Sequence, residues 1–257
     1  MFSFSKLVED ASDYFELVEV GLNVDFEFEQ KDKVFLISDG SVLAYGEKDP
    51  QTGIKATQTF AKDDPIGFAE AIAGRGMQLQ FRKLTDLSLR VFQAAELKKQ
   101  VNESNIFSQT IIKYSLSRIF DQKRSAKYFS FEDEFIGKNY DFLKRIRVPR
   151  EEDVFRLNEA ATKMFFIEKG SIGIFSRGNR QIAELGVGEC FGESAMLNDR
   201  TRRYTAVANK DSSLLLIEDD KVEKELAKDT PLVRLSVVVL LKRLELMNRL
   251  RMVKERG

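Results

Sequence analysis

The sequence predicts an α+β fold made of two tandem, strand-rich copies, each running out into helices, with a long helix at the C-terminal end. Three observations predict it. The halves repeat one another, glycines recur at matched positions within the repeat, and apolar spacing changes from strand-like to helical at the end of each copy. A length of 257 residues suits two small domains at roughly 150 residues per domain, and 43% hydrophobic residues supply cores for both.

The repeat begins with KVFLISDGSVLAY (Lys33 to Tyr45), which aligns with KMFFIEKGSIGIF (Lys163 to Phe175) at an offset of 130. Each has an apolar block, a polar pair, a glycine (Gly40 or Gly170), a serine and a second apolar strand. This pattern reads as a hairpin whose glycine supplies a positive φ. Further on, DPIGFAEAI (Asp64 to Ile72) aligns with ECFGESAML (Glu189 to Leu197) at an offset of 125, which sets Gly67 under Gly192. TDLSLRVF (Thr85 to Phe92) aligns with KDSSLLLI (Lys210 to Ile217) at the same offset. The difference of five residues falls in the loop KDPQTG, Lys48 to Gly53, which is longer in the first copy.

Both copies close with helical spacing. Ile112, Leu116 and Ile119 follow the first, before a polar connection at Asp121 to Lys127 and a lead-in helix around Phe131 to Ile146. After the second, Asp229 or Thr230 caps a helix with Pro231 in its first turn, where the missing N–H costs nothing. That helix runs nearly to Gly257. Val233, Val237, Leu240, Leu244 and Met247 form one stripe, and Leu232, Val239, Leu246 and Val253 another. One stripe serves its own domain and the other a partner helix, or the two form a single wide buried face. The expected domains are 1–125 and 126–257, the long helix belonging to the second.

Composition excludes several chemistries. No histidine is present, which removes the commonest general base and metal ligand. A single cysteine, Cys190, forms no intramolecular disulfide or cysteine-based zinc site and suits a reducing cytosol. With 41 basic and 41 acidic side chains the formal charge is zero, against a large basic surface for DNA. The opening MFSFSKLVED lacks the apolar stretch of a signal peptide, and the run Leu235 to Leu241 is far short of the roughly 20 residues that span a bilayer. A cytoplasmic protein without metal or membrane partner is expected. Acid pairs at Asp63 and Asp64, at Glu151 to Asp153, and at Asp219 and Asp220 read as solvated or capping groups, so no catalytic residues are assigned.

The segment Phe191 to Ala208, FGESAMLNDRTRRYTAVA, carries the chemistry. A small-residue turn (Gly192, Ala195) lets backbone amides approach an anion, and the basic cluster Arg200, Arg202 and Arg203 offers guanidinium forks for its charge. The carboxylate of Glu193 cannot ligate phosphate and suits sugar hydroxyls instead.

This segment, with NEAATKMFFIEKG (Asn158 to Gly170) and LGVGECFGE (Leu185 to Glu193) upstream, resembles the cyclic nucleotide-binding domains of protein kinase A regulatory subunits and catabolite activator proteins. The resemblance implies that each copy is an antiparallel, jelly-roll-like β-roll. It implies that Glu193 takes the ribose hydroxyl, that Arg202 takes the cyclic phosphate with Arg203 as second choice, and that the backbone at Gly192, Ser194 and Ala195 makes further polar contacts. Phe191, Tyr204 and Thr205 complete the expected site. Arg203 and Tyr204 depart from the small residues the family usually places there and narrow the pocket.

In the first copy Glu193 falls on Phe68 and Arg202 on Met77, so both polar anchors are lost. Arg75 and Arg82 lie nearby without matching the cassette and read as surface residues. The resemblance therefore implies a non-enzymatic cAMP or cGMP sensor or regulatory subunit, its second roll competent and its first degenerate, with no covalent cofactor. Output would pass through the C-terminal helix to an effector protein or a homodimer partner. The rival expectation is a ligand-free scaffold in which Arg202 and Arg203 form surface ion pairs.

Overall fold

A continuous apolar run such as Val34 to Ile37 is buried on both faces of a strand, which requires a sheet covered on both sides. The structure, a computed structural model, describes residues 3–48, 55–120, 136–137, 143–192 and 200–254. The loop over 49–54 and the connection Asp121 to Lys127 lie outside the described residues.

The first copy contains α1 (Phe4–Asp10), β1 (Phe15–Val20), β2 (Lys33–Asp39), β3 (Val42–Lys48), β4 (Lys55–Phe60), β5 (Pro65–Ile66), α2 (Phe68–Ala73), β6 (Gln80–Lys83), β7 (Leu87–Gln93), α3 (Ala94–Glu103) and α4 (Ile106–Ile119). The second contains β8 (Lys144–Val148), β9 (Asp153–Phe155), β10 (Lys163–Lys169), β11 (Ile172–Phe175), β12 (Gln181–Leu185), β13 (Cys190–Phe191), β14 (Thr205–Ala208), β15 (Ser212–Glu218) and α5 (Asp219–Leu226), before the final helix α6 (Pro231–Lys254).

Each copy is an antiparallel β-roll of two sheets, and their strand orders superpose except that the second copy adds β9 at one edge. The first has β1-β7-β2-β5 and β4-β3-β6; the second has β8-β15-β10-β13 and β12-β11-β14-β9. Register repeats as well as order. Lys33 pairs with Gln93 and Lys163 with Glu218, and both ladders shift at the same place, between Ile37 and Asp39 and between Ile167 and Lys169.

The Gly40 and Gly170 turns differ from expectation. The strands on either side of each do not pair with one another: β2 pairs with β7 and β5, while β3 pairs with β4 and β6. Each glycine is therefore a corner that passes the chain from one sheet to the other, not a hairpin tip. Their φ angles are +87° and +93°. A Cβ at Gly40 would meet the Asp86 carbonyl at 2.1 Å, and one at Gly170 would meet Ser212 Oγ at 2.2 Å, so the other corner of the roll fills the space a side chain needs.

The expected lead-in helix is corrected at its end, because Lys144 to Val148 form β8, paired with β15. Val148, Phe155, Phe165, Ile172, Phe191 and Leu214 are among the residues that make the second core. Phe28, Phe35, Ile37, Phe60, Ile66 and Leu89 are among those that make the first, joined there by Leu246 and Leu250 of α6.

That placement of α6 is the second difference. By contacts the chain divides into one unit of Met1–Phe4, Asn105–Tyr114 and Arg124–Asp229, and another of Ser5–Ser104, Ser115–Lys123 and Thr230–Gly257. The helix starts as read, with Thr230 Oγ1 accepting the Val233 N–H at 3.4 Å. It then packs with α2, α3, β4 and β5 of the first copy. Every residue from Leu235 to Leu241 is buried, as expected for a helix that is apolar all round. Leu232, Val239 and Leu246 of the second stripe are thus buried within the chain itself. No helix among the described residues is long and apolar enough to cross a membrane.

Candidate functional site

The cassette grows from β13. Phe191 pairs with Phe165 of β10, and Gly192 then turns the chain with φ +82°. Glu193, Ser194 and Ala195 lie outside the described residues. The chain re-enters at Arg200, whose guanidinium pairs with Asp219 at 3.1 Å and Glu223 at 3.9 Å on α5. The segment that carries the arginines, which precedes β14, is fixed by a facing segment. The Arg202 N–H donates to the Glu159 carbonyl at 2.8 Å, the Asn158 N–H donates to the Arg202 carbonyl at 2.9 Å, and the Ala161 N–H donates to the Arg200 carbonyl at 2.5 Å.

Arg202 turns inward and is only 3% exposed. Its Nη1 donates to the Gly192 carbonyl at 2.9 Å and its Nη2 to the Lys163 carbonyl at 2.8 Å. The guanidinium carbon lies 4.1 Å from the Phe155 ring centroid and 5.7 Å from that of Phe165. Phe155, Phe165 and Phe191 stack with centroids 5.1 to 5.9 Å apart. A buried guanidinium is tolerated because fixed carbonyl dipoles and a π face replace its water. The rival expectation put Arg202 at the surface; the structure buries its side chain.

Of the other expected site residues, Gly192 accepts from the Arg202 guanidinium, and Phe191 stacks on Phe155 and Phe165, the rings that guanidinium lies over. Arg203 is partly buried, Tyr204 packs at the margin of the second core, and Thr205 Oγ1 accepts the Leu157 N–H at 3.1 Å. Cys190 is buried on β13, as a small core residue. Among the described residues no cluster of acids and cysteine is placed to hold a metal.

The first roll shows what replaces this arrangement. Gly67 turns with φ +85°, but Phe68 points into the core, 1% exposed, with its ring 5.3 Å from Phe92. Met77 packs at the edge of the first core. Arg75 and Arg82 are exposed, with Arg75 lying over the Phe120 ring at 5.1 Å. Sequence reading passed over Glu70 of α2 and Arg243 of α6, which form an ion pair at 3.0 Å with side chains 5% and 2% exposed. The available signal was one acid within FAEAIA and one arginine within an apolar helix, each a charge in a place that burial makes costly.

The family model for the cyclic nucleotide-binding domain matches residues 145–229. A cGMP-dependent protein kinase of Eimeria tenella is 30% identical over 93 residues, which are 36% of this chain and 9% of that protein. The cyclic AMP receptor protein of Thermus thermophilus is 27% identical over 126 residues, 47% of this chain and 57% of that protein. The chain thus spans a small part of the kinases and about half of the receptor. Among solved structures, cAMP-bound PfPKA-R is similar at 19% identity, covering 95% of this chain and 86% of that one, with a TM-score of 0.39. The catabolite activator protein of Thermus thermophilus is similar at 24% identity, covering 55% and 61%, with a TM-score of 0.37. The family match runs from β8 through α5 and encloses the Gly192 turn and Arg202, so the part of this chain that is similar to the cyclic nucleotide-binding domain is residues 145–229.

Proposed function

We propose that the chain is a non-enzymatic cyclic nucleotide sensor or regulatory subunit that takes cAMP or cGMP in its second roll. The observation that carries this reading is Arg202, a buried guanidinium fixed by the Gly192 and Lys163 carbonyls at the foot of the turn that leads into Glu193. Arg202 pairs the cyclic phosphate, Glu193 accepts from the ribose hydroxyl, and the backbone of Gly192, Ser194 and Ala195 supplies the remaining polar contacts. Phe191 underlies the turn; Arg203, Tyr204 and Thr205 border the ligand and set how much room its base has. The first roll, with Phe68 and Met77 in place of the anchors, takes no cyclic nucleotide in this manner. The functional division follows the repeat, near residues 125 and 126. Output leaves the second roll through α5 and the following residues into α6, and from there to an effector protein inside the cytoplasm.

Calorimetric titration with cAMP and cGMP tests the reading, and the tighter ligand names the signal. Arg202→Ala, measured well below its melting temperature, weakens binding by roughly tenfold to a hundredfold, the value of one charge-assisted pair. Met77→Ala leaves binding unchanged. Absence of heat with either nucleotide at millimolar concentration overturns the proposal. That result would favour the second reading, a ligand-free interaction scaffold, which one observation supports: the protein's own carbonyls already engage the Arg202 guanidinium.

A further inference from the structure

The first roll contains a cavity of about 1130 Å³, slightly larger than the usual range of ligand sites. Phe26, Phe28 and Phe81 form an aromatic wall, and Met77 and Glu70 line it as well. These rings belong to one cluster, with Phe26 and Phe28 centroids 5.0 Å apart and Phe28 and Phe81 5.5 Å apart. Glu70 is 4% exposed. Its Oε1 receives Arg243 Nη2 at 3.0 Å, while its Oε2 is buried and has no hydrogen-bond partner among the described residues. Buried carboxylate oxygens are ordinarily satisfied, so an orphaned one on a cavity wall marks a place for a donor.

We propose that this cavity is a second ligand site, for a neutral, planar small molecule bearing a hydroxyl or amino donor. The donor bonds Glu70 Oε2 and the planar body lies along the Phe26, Phe28 and Phe81 rings. Charge selects for neutrality. Arg243 already cancels Glu70, Met77 stands where the second roll has its buried arginine, and at the rim Lys31, Arg75 and Lys98 are offset by Glu27, Glu29 and Asp32. The cations that line the cavity, Lys31, Arg75 and Lys98, are all exposed, so an anion entering it loses its water without gaining a buried cation from the lining. Because Arg243 belongs to α6, a ligand that bonds Glu70 acts on the ion pair holding that helix to α2.

The site is independent of what the second roll binds, and the test keeps the two apart. Saturation-transfer NMR on the full chain, with cAMP binding followed in parallel, compares 4-aminobenzyl alcohol with 4-aminobenzoate, probes that share a ring and differ in charge. The alcohol binds at least about tenfold more tightly. The double variant Glu70→Met with Arg243→Met removes the acceptor without stranding a charge, and loses that binding while cAMP titration is unchanged. Met77→Arg, which leaves the ion pair intact, reverses the preference toward the benzoate. No binding of the alcohol at about 10 mM, equal binding of both probes, or a preference untouched by Met77→Arg overturns the proposal.

Discussion

Arg202 Nη1 reaches the Gly192 carbonyl at 2.9 Å, and a Cβ built on Gly192 would stand 2.9 Å from that same nitrogen. Glycine is needed there twice, for the positive φ and for the approach of the guanidinium. At the matching turn of the first roll the nearest atom to such a Cβ is Val34 Cγ1 at 3.5 Å, an ordinary contact. Gly67→Ala should therefore cost only the left-handed backbone penalty, about 1 to 2 kcal/mol. Gly192→Ala adds the displacement of Arg202 and should cost roughly twice as much. Urea unfolding of both variants measures the contrast, and equal losses would contradict the assigned role of Arg202.

Removing the guanidinium itself has a structural effect that precedes any ligand. Arg202→Ala leaves the Gly192 and Lys163 carbonyls without their donor and empties the space against Phe155. A loss on the order of 3 kcal/mol is expected in nucleotide-free protein. A thermal scan without ligand checks it: a variant as stable as the parent would mean these bonds contribute nothing.

The ion pair of the first roll makes a different prediction, because one partner alone is worse than neither. Glu70→Gln strands the Arg243 charge, 2% exposed, and should destabilise by about 3 to 5 kcal/mol. The double variant Glu70→Met with Arg243→Met should recover most of that loss. A double-mutant cycle by chemical denaturation gives both numbers.

Asp64 supplies a pH signature. Burial raises its pKa above the ordinary value of 3.8, and the like charge of Asp63 adds to this, while the Ala61 N–H, Lys242 and Arg249 oppose it. The folded state then holds a proton that the unfolded state has released, so this group subtracts stability as pH rises from 3.8 through the folded pKa. Asp64→Asn keeps an acceptor for Ala61 and removes the titration. Relative to the parent, the variant should gain stability between acidic and neutral pH and show no gain below 3.8. Denaturation midpoints across that range decide it; a constant difference would remove Asp64 as the cause.

Much of this molecule was legible because duplication is a pattern in sequence. The offsets that place Lys33 over Lys163 and Phe92 over Ile217 reproduce the paired strands β2 with β7 and β10 with β15. The sequence favoured Arg202 over Arg203 because the strand after it, Thr205 to Ala208, fixed its register. Its inward turn was not legible, since that depends on a carbonyl 39 residues away in the chain, at Lys163. The glycine corners were misread as hairpins because a positive φ reports a sharp turn without saying which sheet the chain enters next. The apolar circumference of α6 announced burial but could not name the surface that buries it, and Glu70 became visible only once Arg243 stood beside it.

The location of α6 also bears on how the protein is made. Leu246 and Leu250 complete a core whose other members lie between Val20 and Val91. During synthesis the first roll therefore emerges from the ribosome with part of its interior missing and waits for Leu246 and Leu250 to arrive. Such closure over a long sequence separation is slow and leaves apolar surface open in the interval. A fragment cut after the first repeat would inherit that open state permanently, so the amino-terminal half should be recovered in soluble form only when Pro231–Lys254 is supplied with it, on the same chain or as a separate peptide.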